Sequence, residues 1–267
     1  IIIILILILS IINMASAETE NTANITFGVK SAVTESAGQV RSGGGGSKVI
    51  EEKKKEKDFI VDKDKIKIKI KRGKKASSTI NIKNIGEDGV TIRIDSSGII
   101  RKLLETNLTD KFLLEKNQNK TIRLTFDTKD SEEGVYTGTI IVDGNDKIKI
   151  IPVIIEIISA KPLLDVETTV LNPTVRLGED LIAEIRLFKL EGYGKVDVNI
   201  EWGIKDLEGN KILKSHSVAA VETQASLSKK LRILLDENNI KTGTYVFYVE
   251  AKYEDVTAIA SQFITID

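Results

Sequence analysis

An all-β protein of two tandem antiparallel sandwiches is the fold that this sequence predicts, and three observations predict it. Apolar and polar residues alternate with a period of two over many short stretches. Turn-forming clusters of Gly, Asn, Asp and Ser separate those stretches. The second half of the chain repeats features of the first at a fixed offset.

The alternation is plainest in Lys65-Ile66-Lys67-Ile68-Lys69-Ile70-Lys71, as expected of a strand buried on one face. It recurs in Thr79–Lys83, Val90–Ile94 and Thr121–Phe126, with turn signals at Arg72-Gly73, Gly86–Gly89, Ser96–Gly98 and Asp143–Asp146. Ile99, Ile100, Leu103 and Leu104 have a locally helical spacing, which reads as a short helix or a strand pair at a sandwich edge. Lys161-Pro162 opens a second pass, with strands expected over Leu181–Phe188, Lys195–Trp202, Leu227–Leu235, Tyr245–Tyr253 and Ala258–Ile266. An offset of 109 carries Ile122, Arg123, Leu124, Phe126, Asp127, Gly134 and Tyr136 onto Leu231, Arg232, Ile233, Leu235, Asp236, Gly243 and Tyr245. Short strands so spaced, with no long amphipathic helix, indicate antiparallel sandwiches over 58–160 and 161–267. In each, a Gly-x-Tyr opens a strand after a polar turn. Tyr136 and Tyr245 are therefore candidate corner tyrosines, whose hydroxyls tie the turn to the sandwich.

The first module carries further signatures. They are Asn84-Ile85-Gly86 followed by Val90-Thr91-Ile92, the strand Gly134-Val135-Tyr136-Thr137-Gly138-Thr139-Ile140, and the closing Ile151-Pro152-Val153. Together with Phe112-Leu113-Leu114 and Thr121–Leu124, this line resembles the NEW3 and CARDB-type immunoglobulin-like modules of prokaryotic cell-surface proteins. The second module is similar but looser, keeping Gly243-Thr244-Tyr245 without a counterpart to Ile-Pro-Val. The resemblance implies an extracytoplasmic, often membrane-anchored and usually non-catalytic role. Because such modules serve as stalks, adhesins and accessory parts of enzymes, it specifies fold better than function.

The N-terminal segment points to the same compartment. Ile1–Leu9 is an unbroken apolar run, and Ala15-Ser16-Ala17 precedes Glu18, so 1–17 reads as a signal peptide or the remnant of an anchor. No charged n-region or initiator methionine precedes the run, which suggests a chain whose start is missing. Residues 18–57 include Gly43–Gly46 and the charged run Glu51–Lys57, and read as a disordered polar linker.

Composition narrows the chemistry. With no cysteine in 267 residues, disulfides, thiolate metal sites and cysteine nucleophiles are excluded. Lys+Arg and Asp+Glu balance at 39 each, so no global field favours nucleic acid. The single histidine, His216, sits in a polar stretch between two expected strands and reads as a surface residue. Trp202 shares parity with Val198 and Ile200 and reads as core. No phosphate loop or dinucleotide fingerprint is present, and the sequence predicts no enzyme, metal or cofactor.

Lys65, Lys67, Lys69 and Lys71 form the sharpest surface feature, within a stretch (48–83) of fourteen basic and six acidic residues. Two readings stand. Lysines protect a flat edge strand from pairing with another chain, or they form a face for an anionic envelope polymer, glycan or lipid. Asn24, Asn107 and Asn119 begin Asn-x-Thr sequons and are candidate glycosylation sites. The expected function is a non-catalytic extracytoplasmic structural or interaction protein, either spacer or adhesin. Its partners would be other surface proteins or envelope polymers and glycans, with membrane anchoring and without nucleic acid. The alternative is the accessory, carbohydrate- or polymer-binding part of a larger surface enzyme.

Overall fold

The computed structural model describes residues 58–267 apart from 107, 109–110, 145–146, 191–193, 223–225 and 236–239, and describes side chains outside 223–232 as well. The apolar segment 1–17, the linker 18–57, Asn24 and Asn107 lie outside the described residues.

Alternating sequences become strands throughout. The first set comprises β1 (Phe59–Val61), β2 (Ile66–Lys71), β3 (Lys75–Asn84), β4 (Val90–Gly98), β5 (Phe112–Leu114), β6 (Asn119–Asp127), β7 (Gly134–Asp143) and β8 (Ile148–Ile158). The segment Ile99–Lys102 is a short 3-10 helix between β4 and β5, tucking Ile100 into the core. The second set comprises β9 (Leu164–Val170), β10 (Thr174–Val175), β11 (Asp180–Lys189), β12 (Lys195–Lys205), β13 (Lys211–Glu222), β14 (Ser226–Leu234), β15 (Gly243–Tyr253) and β16 (Val256–Ile266).

Each set forms one three-stranded and one five-stranded sheet. The orders are β1-β3-β6 with β2-β8-β7-β4-β5, and β9-β11-β14 with β10-β16-β15-β12-β13. Strand for strand, the two orders are the same. One core lies between the first pair of sheets, where Ile80, Ile82, Leu124 and Phe126 meet Ile92, Ile140, Val142 and Ile151. A second lies between the other pair, where Val166, Leu181, Ala183 and Leu187 meet Val198, Trp202, Phe247 and Val249. Trp202 is 8% exposed within it.

The sheets are not purely antiparallel, which corrects one expectation. β2 runs parallel to β8, with Ile66 opposite Val153 and Lys71 opposite Ile158, and β10 runs parallel to β16. The cause is a broken first strand in each set. Charged residues at Asp62–Asp64 and Pro173 interrupt the extended chain. A proline has no N–H to give a ladder. The first half therefore pairs in the three-stranded sheet, and the second half crosses to the edge of the other. A second correction concerns His216: it lies within β13, not between strands. Large apolar residues do not alternate along Lys211–Glu222. Ser215, Ser217 and Ala219 take its inward positions, half-buried at the sandwich margin.

Local hydrogen bonds hold the turns. Buried Asn84 donates to the Asp88 and Leu114 carbonyls and accepts from Gly86 N–H, which is why an Asn-x-Gly stands there. The Tyr136 hydroxyl donates to the Glu132 carbonyl at 2.9 Å, and the Tyr245 hydroxyl accepts from Lys241 N–H at 3.3 Å. Both span four residues back across the turn before the strand. Tyr136→Phe removes the shorter bond without changing shape and should lower stability by about 1 kcal/mol in urea denaturation. An unchanged midpoint would deny that bond any stabilising part.

Candidate functional site

A strand covered on one face alternates, whereas β8 runs Ile150-Ile151-Pro152-Val153-Ile154-Ile155-Glu156-Ile157-Ile158 almost without a polar break. Such a run marks burial on both faces. Ile151, Val153, Ile155 and Ile157 point into the first core. Ile154 and Glu156 point the other way and are also buried, at 0% and 1% exposure. What covers them is the outer face of the second five-stranded sheet. Ile154 and Val135 pack with Val246, Tyr248 and Ile259, flanked by Ile158, Leu207 and Phe263. Tyr245-Val246-Phe247-Tyr248-Val249 of β15 is the matching continuous run, with Phe247 and Val249 in its own core and Val246 and Tyr248 in the junction.

Two polar groups of contacts border this apolar centre. On one side Glu156 accepts from the Ser261 hydroxyl at 2.6 Å and pairs with the Lys67 ammonium at 2.9 Å, with Lys69 at 3.9 Å. Lys67 also donates to the Ser261 carbonyl, and the Lys65 ammonium lies 5.3 Å from the Phe263 ring centre. Three lysines of the ladder are thus turned toward the second sandwich, and Lys71 is exposed at the strand end. β2 is an edge strand of its sheet.

On the other side Lys205, 6% exposed, donates to the Val135 carbonyl at 2.9 Å and to Glu250 at 3.3 Å, over the ring of Tyr248 at 4.5 Å. The Tyr248 hydroxyl donates to Glu201 at 2.8 Å, and Lys211 reaches the same carboxylate. Burial pushes the Lys205 ammonium below its ordinary pKa, against the attraction of Glu250. Tyr248 is driven upward by burial and by its bond to Glu201, so its hydroxyl keeps its proton. For Glu201 burial pushes upward, but the bonds from Lys211 and Tyr248 outweigh it and leave the carboxyl below 4.5.

The turn after β12 completes the junction. A bulge between Ile204 and Lys205 precedes it and bends the strand end. Asp206 then accepts at its carbonyl from the Thr137 hydroxyl at 2.8 Å, and Glu208 accepts from the Ser97 hydroxyl at 2.9 Å. Gly98, at φ 75°, admits this turn: a Cβ there would stand 2.5 Å from the Leu207 carbonyl oxygen.

A cleft of about 600 Å³ opens beside the junction, lined by Arg72, Glu133, Glu201, His216, Glu250 and Lys252 among others. Three of its five carboxylates are hydrogen-bonded: Glu201 and Glu250 as above, and Glu133 as acceptor from Thr257 N–H at 2.9 Å. Among the described residues no group of three or more His, Asp and Glu side chains is placed to hold a metal ion. Asn119 is exposed at the start of β6.

Sequence reasoning singled out Tyr136, Tyr245 and the lysine ladder but not Glu156, Lys205, Glu201 and Tyr248. The unbroken apolar runs of β8 and β15 were the available signal for a second buried face.

No family model matches the chain, and no curated protein does. Among solved structures it is similar to the CARDB domain of a Pyrococcus furiosus protein, solved with di-metal ions, at 13% identity and a TM-score of 0.32, covering 39% of this chain and 87% of that one. A family 123 glycoside hydrolase from Clostridium perfringens is similar at 14% identity and 0.31, over 43% of this chain and 25% of that one. A human PapD-like domain is similar at 14% identity and 0.29, over 39% and 87%. These likenesses are partial, and the sandwich architecture rests on the strand pairing itself.

Glu201 gives the junction a pH signature. Its folded pKa lies below 4.5, so its contribution is complete above pH 4.5 and is lost as pH falls through the folded value. The melting temperature of the wild type should therefore fall more steeply below pH 4.5 than that of Glu201→Gln. Equal slopes would show that the Tyr248–Glu201–Lys211 contacts do not stabilise the ionised form.

Proposed function

We propose that the chain is a non-catalytic structural and interaction module, in which two tandem immunoglobulin-like sandwiches form one rigid spacer outside the cell. The observation that carries this reading is the docked junction. Modules joined only by a linker move freely unless an apolar interface restrains them, and here Val135, Ile154, Val246, Tyr248 and Ile259 are buried together. A spacer needs that rigidity, whereas an enzyme needs reactive groups left free. Glu201, Glu250 and Glu133 of the cleft are instead hydrogen-bonded, and the bond from Thr257 N–H to Glu133 joins the two sandwiches. The apolar segment and polar linker ahead of the sandwiches suit attachment at a membrane or export across it. The shared strand order of the two sheet pairs, with the offset of 109, supports an internal duplication.

Small-angle scattering tests the rigidity. The wild type should fit a single conformation. Ile259→Asp, which puts an unpaired carboxylate where exposure is 1%, should cost several kcal/mol at the junction and broaden the distribution of sizes. A wild type as broad as this variant would sink the spacer reading. Protease added to intact producing cells tests the location: a chain protected until the cells are lysed would overturn the extracytoplasmic assignment.

A further inference from the structure

A sheet that ends in a bare strand offers its backbone N–H and C=O groups to any extended chain, and folded proteins guard such edges. Most edges here are guarded. β1, β5 and β10 are only three, three and two residues long. β2 carries Lys67, Lys69 and Lys71. The free side of β6 is occupied by the segment after the 3-10 helix, through Asp127 N–H to the Leu103 carbonyl, Glu105 N–H to the Thr125 carbonyl and Thr125 N–H to the Thr106 hydroxyl. β9 carries Asp165 and Glu167, and β14 carries Lys229, Lys230 and Arg232.

β13 is the exception. It is twelve residues long, lies at the end of its sheet, and among the described residues pairs only with β12. From Ser215 to Val221 it has no Asp, Glu, Lys or Arg. Its exposed positions are Lys211, Lys214, His216, Val218, Ala220 and Glu222, and Val218 is 62% exposed.

That pattern is self-complementary. An antiparallel strand pair related by a twofold axis at Val218 matches residues equidistant from it. Lys214 then stands opposite Glu222 of the other copy, and by symmetry Glu222 opposite Lys214. His216 stands opposite Ala220, and the two Val218 side chains meet. Exposed residues meet exposed residues and half-buried Ser217 meets half-buried Ala219, so the two sheets continue without a change of face. Opposite charges directly across a strand pair stabilise it, and like charges there destabilise it.

We propose that β13 is the self-association edge of this protein, pairing antiparallel with β13 of a second copy about a twofold axis at Val218. The contact is isologous and closes on itself, forming a dimer with one continuous ten-stranded sheet from two five-stranded ones. The edge is thereby used up rather than left open to indiscriminate pairing.

The absence of cysteine makes a clean test in the full 267-residue chain. Directly opposite residues of an antiparallel pair have Cα atoms about 4.5–5.5 Å apart, which a disulfide can span. Under mild oxidation Val218→Cys should form a disulfide-linked dimer on the order of tenfold or more faster than Ile148→Cys, a site on β8 that is also 62% exposed. Adding Lys214→Glu or Glu222→Lys to Val218→Cys should slow cross-linking by about threefold or more, because each places like charges opposite one another. Combining both swaps should restore the original rate. Circular dichroism of each variant checks that the fold is kept. Equal rates for Val218→Cys and Ile148→Cys overturn the proposal, as does a charge swap that fails to restore the rate. A dimer that forms at other engineered cysteines but not at 218 would assign the edge to a different partner and overturn it equally.

Discussion

From Ile151 to Ile157 β8 is buried on both faces, and much of the molecule follows from that constraint. A strand reading Ile150–Ile158 with one charge cannot expose its second face to water without leaving a broad apolar patch. The second five-stranded sheet covers Ile154, and in doing so buries Glu156. A buried carboxylate must be paired and hydrogen-bonded, so Lys67, Lys69 and the Ser261 hydroxyl are drawn to it. On the far side the same docking buries Lys205, whose ammonium donates to the Val135 carbonyl. Apolar docking makes the junction favourable, and the charges buried beside it are paired.

The sequence shows the fold in proportion to how locally each feature is encoded. Period-two alternation placed β2, β3, β4 and β6, because alternation needs only neighbouring residues to be recognised. β13 escaped notice since its inward residues are Ser215, Ser217 and Ala219, small groups at a margin where little volume is filled. The parallel edge strands escaped because a strand's partner is not written in its own residues. The junction fell between these cases. Its apolar half was legible in the unbroken runs of β8 and β15, whereas Glu156, Lys205 and Glu201 look in sequence like any solvated charge and acquire meaning only from residues up to 105 positions away.

The lysine ladder shows how one feature serves two physical ends. Alternate residues Ile66 and Ile70 fill the first core, while the intervening lysines stand along the edge of the sheet. Their long stems reach across to the second sandwich, and their charges discourage another chain from adding to β2. The contrast with β13, which has no such charges at its centre, is what distinguishes a closed edge from an open one in the same molecule.

The parallel pairing of β2 with β8 has a mechanical consequence. When tension enters where β2 begins and leaves where β8 ends, the two strands are pulled past each other lengthwise. The load then falls on the hydrogen bonds from Ile66–Val153 to Lys71–Ile158 together, instead of opening them one at a time. The second sandwich has the same geometry over a shorter stretch, from Pro173–Thr265 to Leu177–Asp267. Under stretching the chain is graded: force spectroscopy would find the second sandwich yielding first and the first one holding, a sacrificial element in series with a strong one.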